Sequence, residues 1–146
     1  MATSAAITVL VIDDDQDTRE LYSFCLGRVG IRVVEAADGA EALAAAEREC
    51  PTVALVDLWI PVLDGLEVTR RLRSRASTRS AGIIIVSGAL MGHERERALA
   101  AGANLFLPKP VDIAQLCQCI FETASRVGFA ACGVPGGEFV ELTPTL

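Results

Sequence analysis

Five short runs of apolar residues, each stopping at polar or charged residues, constrain this chain more than any other feature. Ile7 to Ile12 (ITVLVI) stops at Asp13-Asp14-Asp15, and Thr52 to Val56 stops at Asp57. Ile83 to Val86 (IIIV) stops at Ser87-Gly88, Ile31 to Glu35 is β-branched, and Asn104 to Leu107 runs into Pro108-Lys109-Pro110. All are of strand length. The segments between them carry helical signals. Thr18 to Val29 has Leu21, Phe24 and Cys25 at helical spacing, Ala40 to Glu49 is rich in alanine, and Leu66 to Arg73 follows the turn residues Asp64-Gly65. Glu94 to Ala101 is stopped by Gly102. The last helix opens at Asp112, a good N-cap, and repeats apolar residues at Ile113, Leu116, Cys117, Ile120, Phe121 and Ala124.

Strands that do not alternate with polar residues are buried on both faces, as in a parallel sheet covered by helices. Crossovers in such sheets are right-handed. The expected fold is therefore α/β, a doubly wound, five-stranded parallel sheet of order 2-1-3-4-5, flavodoxin-like. Ligands of such sheets bind beyond the carboxyl ends of the strands, at the switch point between strands 1 and 3. A length of 146 residues suits one domain. Residues 1–126 are expected to form it. Residues 127–146 hold four glycines and two prolines without a clear period, and read as a tail or packed extension with no output domain.

The net charge of −6 argues against general nucleic-acid affinity. No apolar run approaches the ~20 residues that span a bilayer, and residues 1–7 lack the pattern of a signal peptide, so the expected compartment is the cytoplasm. Five scattered cysteines suit reduced structural thiols. Of thirteen basic residues, only Lys109 is not arginine. Arg70, Arg71, Arg73, Arg75 and Arg79 read as a solvated helix end, and His93 as a surface residue.

On the expected sheet, Asp13 and Asp14 end strand 1, Asp57 ends strand 3, Ser87 ends strand 4 and Lys109 follows strand 5. One crevice thus gathers three carboxylates, a hydroxyl and an ammonium. Carboxylates ~4 Å apart repel by roughly 4 kcal/mol per pair at an effective dielectric near 20. One ammonium does not offset three, which implies a hard cation. All-oxygen ligands suit Mg²⁺, which shares carboxylates with phosphate. Nucleotide-binding relatives of this fold carry a glycine-rich turn after strand 1. Here the turn reads Asp-Asp-Asp-Gln-Asp and would repel phosphate unless a metal lay between.

These residues resemble the receiver domains of response regulators. The resemblance runs from about Ile7 to Arg126. It rests on the acidic pair Asp13-Asp14, the segment DLWIPVLDG opening at Asp57, the Ser87-Gly88 step, Phe106 two residues before a proline, and Pro108-Lys109-Pro110. The 2-1-3-4-5 order is itself a feature of that family, so fold and resemblance are not independent. The resemblance implies that Asp57 is the phosphoacceptor. It implies that Asp14, Asp57 and the backbone carbonyl of Trp59 hold Mg²⁺, with Asp13 acting directly or through water. Ser87, Gly88 and Lys109 would bind the phosphoryl group, Ser87 and Phe106 would form the switch, and the Lys109-Pro110 bond would be cis. A histidine kinase or phosphotransfer protein would be the donor, and a downstream protein the target. The chain would act without catalysing turnover, as a monomer or a phosphorylation-dependent dimer.

Three positions bear on the lifetime of the phosphoryl group. Gly88 leaves room beside it, while Trp59 and small Ala89 flank the route of attacking water, and a shielding indole would slow self-dephosphorylation. Alternatives to a single-domain switch are a phosphorelay shuttle or phosphate sink, a receiver cut from a larger regulator, and an Asp-nucleophile phosphatase. The last is disfavoured because haloacid-dehalogenase-type enzymes carry an acid two residues after the nucleophile, where this chain has Trp59.

Overall fold

The computed structural model describes residues 6–88 and 92–131, with side chains as far as residue 127. Ala89 and Cys132 lie outside the described residues. Strands and helices alternate throughout: β1 Thr8–Ile12, α1 Gln16–Arg28, β2 Arg32–Ala36, α2 Gly39–Glu49, β3 Val53–Asp57, α3 Gly65–Ser74, β4 Gly82–Ser87, α4 Glu94–Ala101, β5 Leu105–Pro108 and α5 Ile113–Ala131. The five strands form one parallel sheet in the order β2-β1-β3-β4-β5, as expected.

The continuous apolar strands are explained by two cores, one on each face of the sheet. Leu10, Ile12, Ala54, Val56, Ile83 and Ile85 pack with α2, α3 and α4. Their neighbours Val9, Val11, Val53, Leu55, Ile84 and Val86 pack with α1 and α5 on the other side. Register aligns the carboxyl ends: Ile12 pairs with Val56, Asp57 with Val86, and Ser87 with Pro108. Caps fix several helix ends. Asp38 accepts a hydrogen bond from the Glu41 N–H at 2.8 Å, and Asp64 from the Glu67 N–H at 2.9 Å. Each is worth about 1 kcal/mol. Gly102 ends α4 in the left-handed region at φ 114°.

Three details differ from the sequence reading. Helix α5 continues to Ala131, five residues past Arg126. Helix α1 buries Tyr22 and Leu26, whereas Leu21 is 51% and Phe24 63% exposed. The period was right and the face was one residue off. The arginine run is not a patch of free cations. Arg70 and Arg71 pair with Glu67, and Arg75 pairs with Glu47 at 3.0 Å. Arg73 turns inward and donates to the backbone oxygens of Arg79, Ala81 and Gly102 and to the Asn104 side chain.

Candidate functional site

The sheet brings the sequence-chosen residues to one end. Asp57 is the last residue of β3, Asp13 and Asp14 follow β1, Ser87 closes β4, and Lys109 follows β5. One carboxylate oxygen from each of Asp13, Asp14 and Asp57 lies within 4.8 Å of the others. Lys109 Nζ is 3.1 Å from Asp13 Oδ2 and 3.6 Å from Asp57 Oδ2. The Lys109 backbone N–H donates to the Ser87 carbonyl at 2.9 Å, and the Lys109-Pro110 peptide is cis.

Backbone groups orient the acids. Asp13 is buried at 3% exposure, and its Oδ1 accepts from the Asp15 N–H at 2.9 Å. Its carbonyl accepts from the Arg19 guanidinium at 2.7 Å. Asp57 Oδ1 accepts from the Trp59 N–H at 3.3 Å. Gly65 fixes the loop behind it. A Cβ there would stand 2.5 Å from the Asp57 carbonyl oxygen and 2.9 Å from the Leu58 Cα, so only glycine lets α3 start this close to β3. The sequence reading placed Asp64-Gly65 in a loop and at the end of the DLWIPVLDG segment, without a steric role. The signal it missed is steric and emerges only with the fold.

The charges do not balance. Burial pushes the Asp57 carboxyl above its ordinary value, Lys109 pulls it down, and Asp13 and Asp14 push it up again. Burial pulls Lys109 down, but its hydrogen bond to Asp13 and the charges of Asp57 and Asp13 lift it to a net rise. Burial is the largest influence on both groups, and the neighbouring charges decide how far each is compensated. Lys109 faces two carboxylates and gains, whereas Asp57 faces one ammonium and two carboxylates and loses. A group of carboxylate oxygens with excess negative charge, open to solvent at Asp14, fits a hard divalent cation.

Other expected residues fall as follows. Ser87 and Phe106 are buried, Phe106 within the core on the α2, α3 and α4 side. A methyl at Gly88 would meet the Lys109 side chain at 3.8 Å, an ordinary contact. Trp59 is 59% exposed and lines a cleft of about 510 Å³ with Leu66, His93 and Arg97. Tyr22, which the sequence reading passed over, lines a small cavity with Asp13 and Asp57. Among the described residues, no helix is long and apolar enough to cross a membrane. Cys25, Cys50, Cys117 and Cys119 are free thiols.

The model of the response regulator receiver domain matches residues 9–121. An uncharacterized 14.6 kDa protein of Leptolyngbya boryana is 36% identical over 120 residues, covering 82% of this chain and 92% of that protein. The response regulator MprA of Mycobacterium leprae is 38% identical over 108 residues, covering 74% of this chain. This chain spans 46% of the length of that regulator, and about half the length of several other regulators it matches. The receiver domain of a sensor histidine kinase from Pseudomonas aeruginosa PAO1, solved with a magnesium ion coordinated in its active-site cleft, superposes with a TM-score of 0.76. It is 31% identical, and the match covers 83% of this chain and 99% of that one. With a family match over most of its length and the fold to go with it, the chain belongs to the response regulator receiver domain family.

Proposed function

We propose that this chain is a single-domain response regulator of the cytoplasm. Asp57 accepts a phosphoryl group in a Mg²⁺-dependent step from a histidine kinase or phosphotransfer protein. The observation that carries this reading is the placement of Lys109 against Asp13 and Asp57, beside an acid cluster at the switch point of the sheet.

In the transfer, an Asp57 carboxylate oxygen attacks phosphorus in line. The P–N bond to the donor histidine breaks, and the imidazole leaves with that electron pair. Asp13, Asp14, Asp57 and the Trp59 carbonyl would hold Mg²⁺, which when bound supplies charge neutralisation for the approaching anion. Lys109 pairs with the carboxylate before transfer and with a phosphoryl oxygen after it. Its compact charge on a flexible stem suits both partners. Ser87 donates to another phosphoryl oxygen, sharing the charge on the equatorial oxygens. Gly88 leaves space beside that oxygen. Movement of Ser87 toward the phosphoryl group opens room for a second position of Phe106, and the surface of α4, β5 and α5 changes with it. That surface is read by a downstream protein, with no nucleic acid and no membrane involved, by a monomer or a phosphorylation-dependent dimer. The Trp59 indole screens the acyl phosphate from water and slows its loss. Residues 132–146 lie outside the described residues.

The test uses a phosphohistidine protein carrying a labelled phosphoryl group. Label should pass to this chain with Mg²⁺ present, and an Asp57→Asn variant should take none. A target that binds only the labelled chain supports the switch. Prompt return of label to a second histidine protein, with no such target, replaces the switch by a shuttle. Label on the Asp57→Asn variant contradicts the assignment of Asp57.

A further inference from the structure

The chain leaves β3 at Asp57 and starts α3 at Gly65, and the loop between them turns back on itself at Val62. The Pro61 carbonyl accepts from the Leu63 N–H at 2.9 Å, closing a three-residue turn, and from the Gly39 N–H at 3.2 Å. The start of α2 is pressed against the same loop, since a Cβ on Gly39 would stand 2.6 Å from the Leu63 Cβ. Val62, at the centre of the turn, takes φ 73°. Glycine or asparagine suits such a turn, whereas a β-branched side chain is strained in it.

Packing does not account for the valine. Its side chain is 72% exposed and belongs to neither core. Strain kept without a packing return concentrates at functional sites. Position points the same way. Val62 is three Cα steps of about 3.8 Å from Gly65, whose Cβ position is 2.5 Å from the Asp57 carbonyl oxygen, so it stands within ~15 Å of the acceptor residue. A protein that delivers a phosphoryl group to Asp57 must centre its surface there, and an interface of ~800 Å² per partner reaches about 16 Å from its centre. A small acyl phosphate covers the site alone. The buried middle of such an interface is apolar and poor in charge, and this loop offers it two exposed apolar side chains, Trp59 and Val62.

We propose that Val62 is a specificity-determining residue for the protein donor: its side chain, with the Trp59 indole on the same loop, docks against apolar side chains that surround the phosphorylated histidine of that protein. The proposal rests on the reading of Asp57 as the acceptor from such a donor. Valine in place of glycine or asparagine trades stability for an apolar knob at the rim of the site. The branched side chain has few rotamers, so little freedom is lost when it is covered.

The test compares two donors on the full chain with Mg²⁺: acetyl phosphate, and a histidine phosphotransfer protein phosphorylated on its histidine. Val62→Gly removes the side chain, and Val62→Asn replaces it with a polar one that tolerates the turn. In both variants, half-saturation should need about five- to tenfold more of the phosphorylated protein, the scale of one valine no longer covered. The rate with acetyl phosphate should stay at the wild-type value. Val62→Ile, still apolar, should keep wild-type half-saturation with the protein. Val62→Asn should melt no lower than wild type, because the strain is relieved. Unchanged half-saturation by the protein, an equal loss with both donors, a matching loss in Val62→Ile, or a lower melting temperature of Val62→Asn overturns the proposal. So does a wild-type chain that takes the phosphoryl group from acetyl phosphate and none from the protein. A wild-type chain that takes none from either donor overturns the reading of Asp57 itself, and this proposal with it.

Discussion

Lys109 Nζ stands 3.1 Å from Asp13 and 3.6 Å from Asp57, so one stem serves two carboxylates. A guanidinium carries the same charge spread over a wide planar fork rather than held as a compact point charge. Lys109→Ala should lower the rate of phosphoryl acceptance by about 10²-fold, the usual cost of one transition-state donor, and Lys109→Arg should not restore it. Both rates follow from adduct formation with an acyl phosphate. Restoration by arginine would mean that charge alone matters. Gly65 has a steric role, with backbone atoms at 2.5 and 2.9 Å from where a Cβ would sit. Gly65→Ala should cost about 1–3 kcal/mol in urea unfolding, as overpacking does, and should slow acceptance because the displaced atoms belong to Asp57 and Leu58. A neutral effect on both would show that the α3 start moves freely. The chemical residues were legible in the sequence because strand ends fix where they go. The steric role of Gly65 was not, because it depends on the backbone of Asp57 and Leu58, which only the folded chain brings near.

At the level of elements, the central strands β1, β3 and β4 read clearly because their apolar residues are buried on both faces, whereas edge strand β2 carries exposed Arg32 and Glu35. Helix α1 did not read as clearly. Its exposed side carries Leu21 and Phe24, so apolar spacing alone pointed to the wrong face. Among the arginines in and after α3, Arg73 departs from the solvated reading. Composition suggests a solvated basic end, but Arg73 ties the end of α3 to Gly102 at the end of α4, to the loop before β4, and to Asn104 before β5. Asn104 Oδ1 also accepts from the Ile83 N–H at 2.7 Å, so one cluster joins α3, α4, β4 and β5. Burial pushes the Arg73 guanidinium down to about 10. Arg73→Met should leave the partly buried carbonyls of Ala81 and Gly102 without this donor and cost about 2–4 kcal/mol in urea. Hydrogen exchange should speed up most at Ala103 and Asn104. A loss below 1 kcal/mol, about the worth of one ordinary hydrogen bond, would show that water replaces the guanidinium there.

For the whole molecule, the acid cluster sets function against stability. The folded-state pKa of Asp57 is raised, chiefly by burial, above the ordinary value of 3.8. At low pH the group is protonated in both folded and unfolded chains and costs nothing. As pH rises past 3.8 the unfolded chain ionises first, so stability falls until the folded carboxyl ionises, and the deficit is then constant up to neutral pH. Asp57→Asn should raise the metal-free melting temperature at pH 7, and the gain should shrink as pH is lowered toward 4. Mg²⁺ should raise the wild-type melting temperature more than that of the variant. Equal gains from Mg²⁺ would place the cation elsewhere. The central claim is phosphoryl acceptance at Asp57, and intact mass after incubation with a small acyl phosphate tests it most directly. The account predicts a single phosphoryl adduct that requires Mg²⁺ and is absent from Asp57→Asn. A folded, metal-binding chain that takes no adduct, or an adduct that survives the substitution, would contradict it.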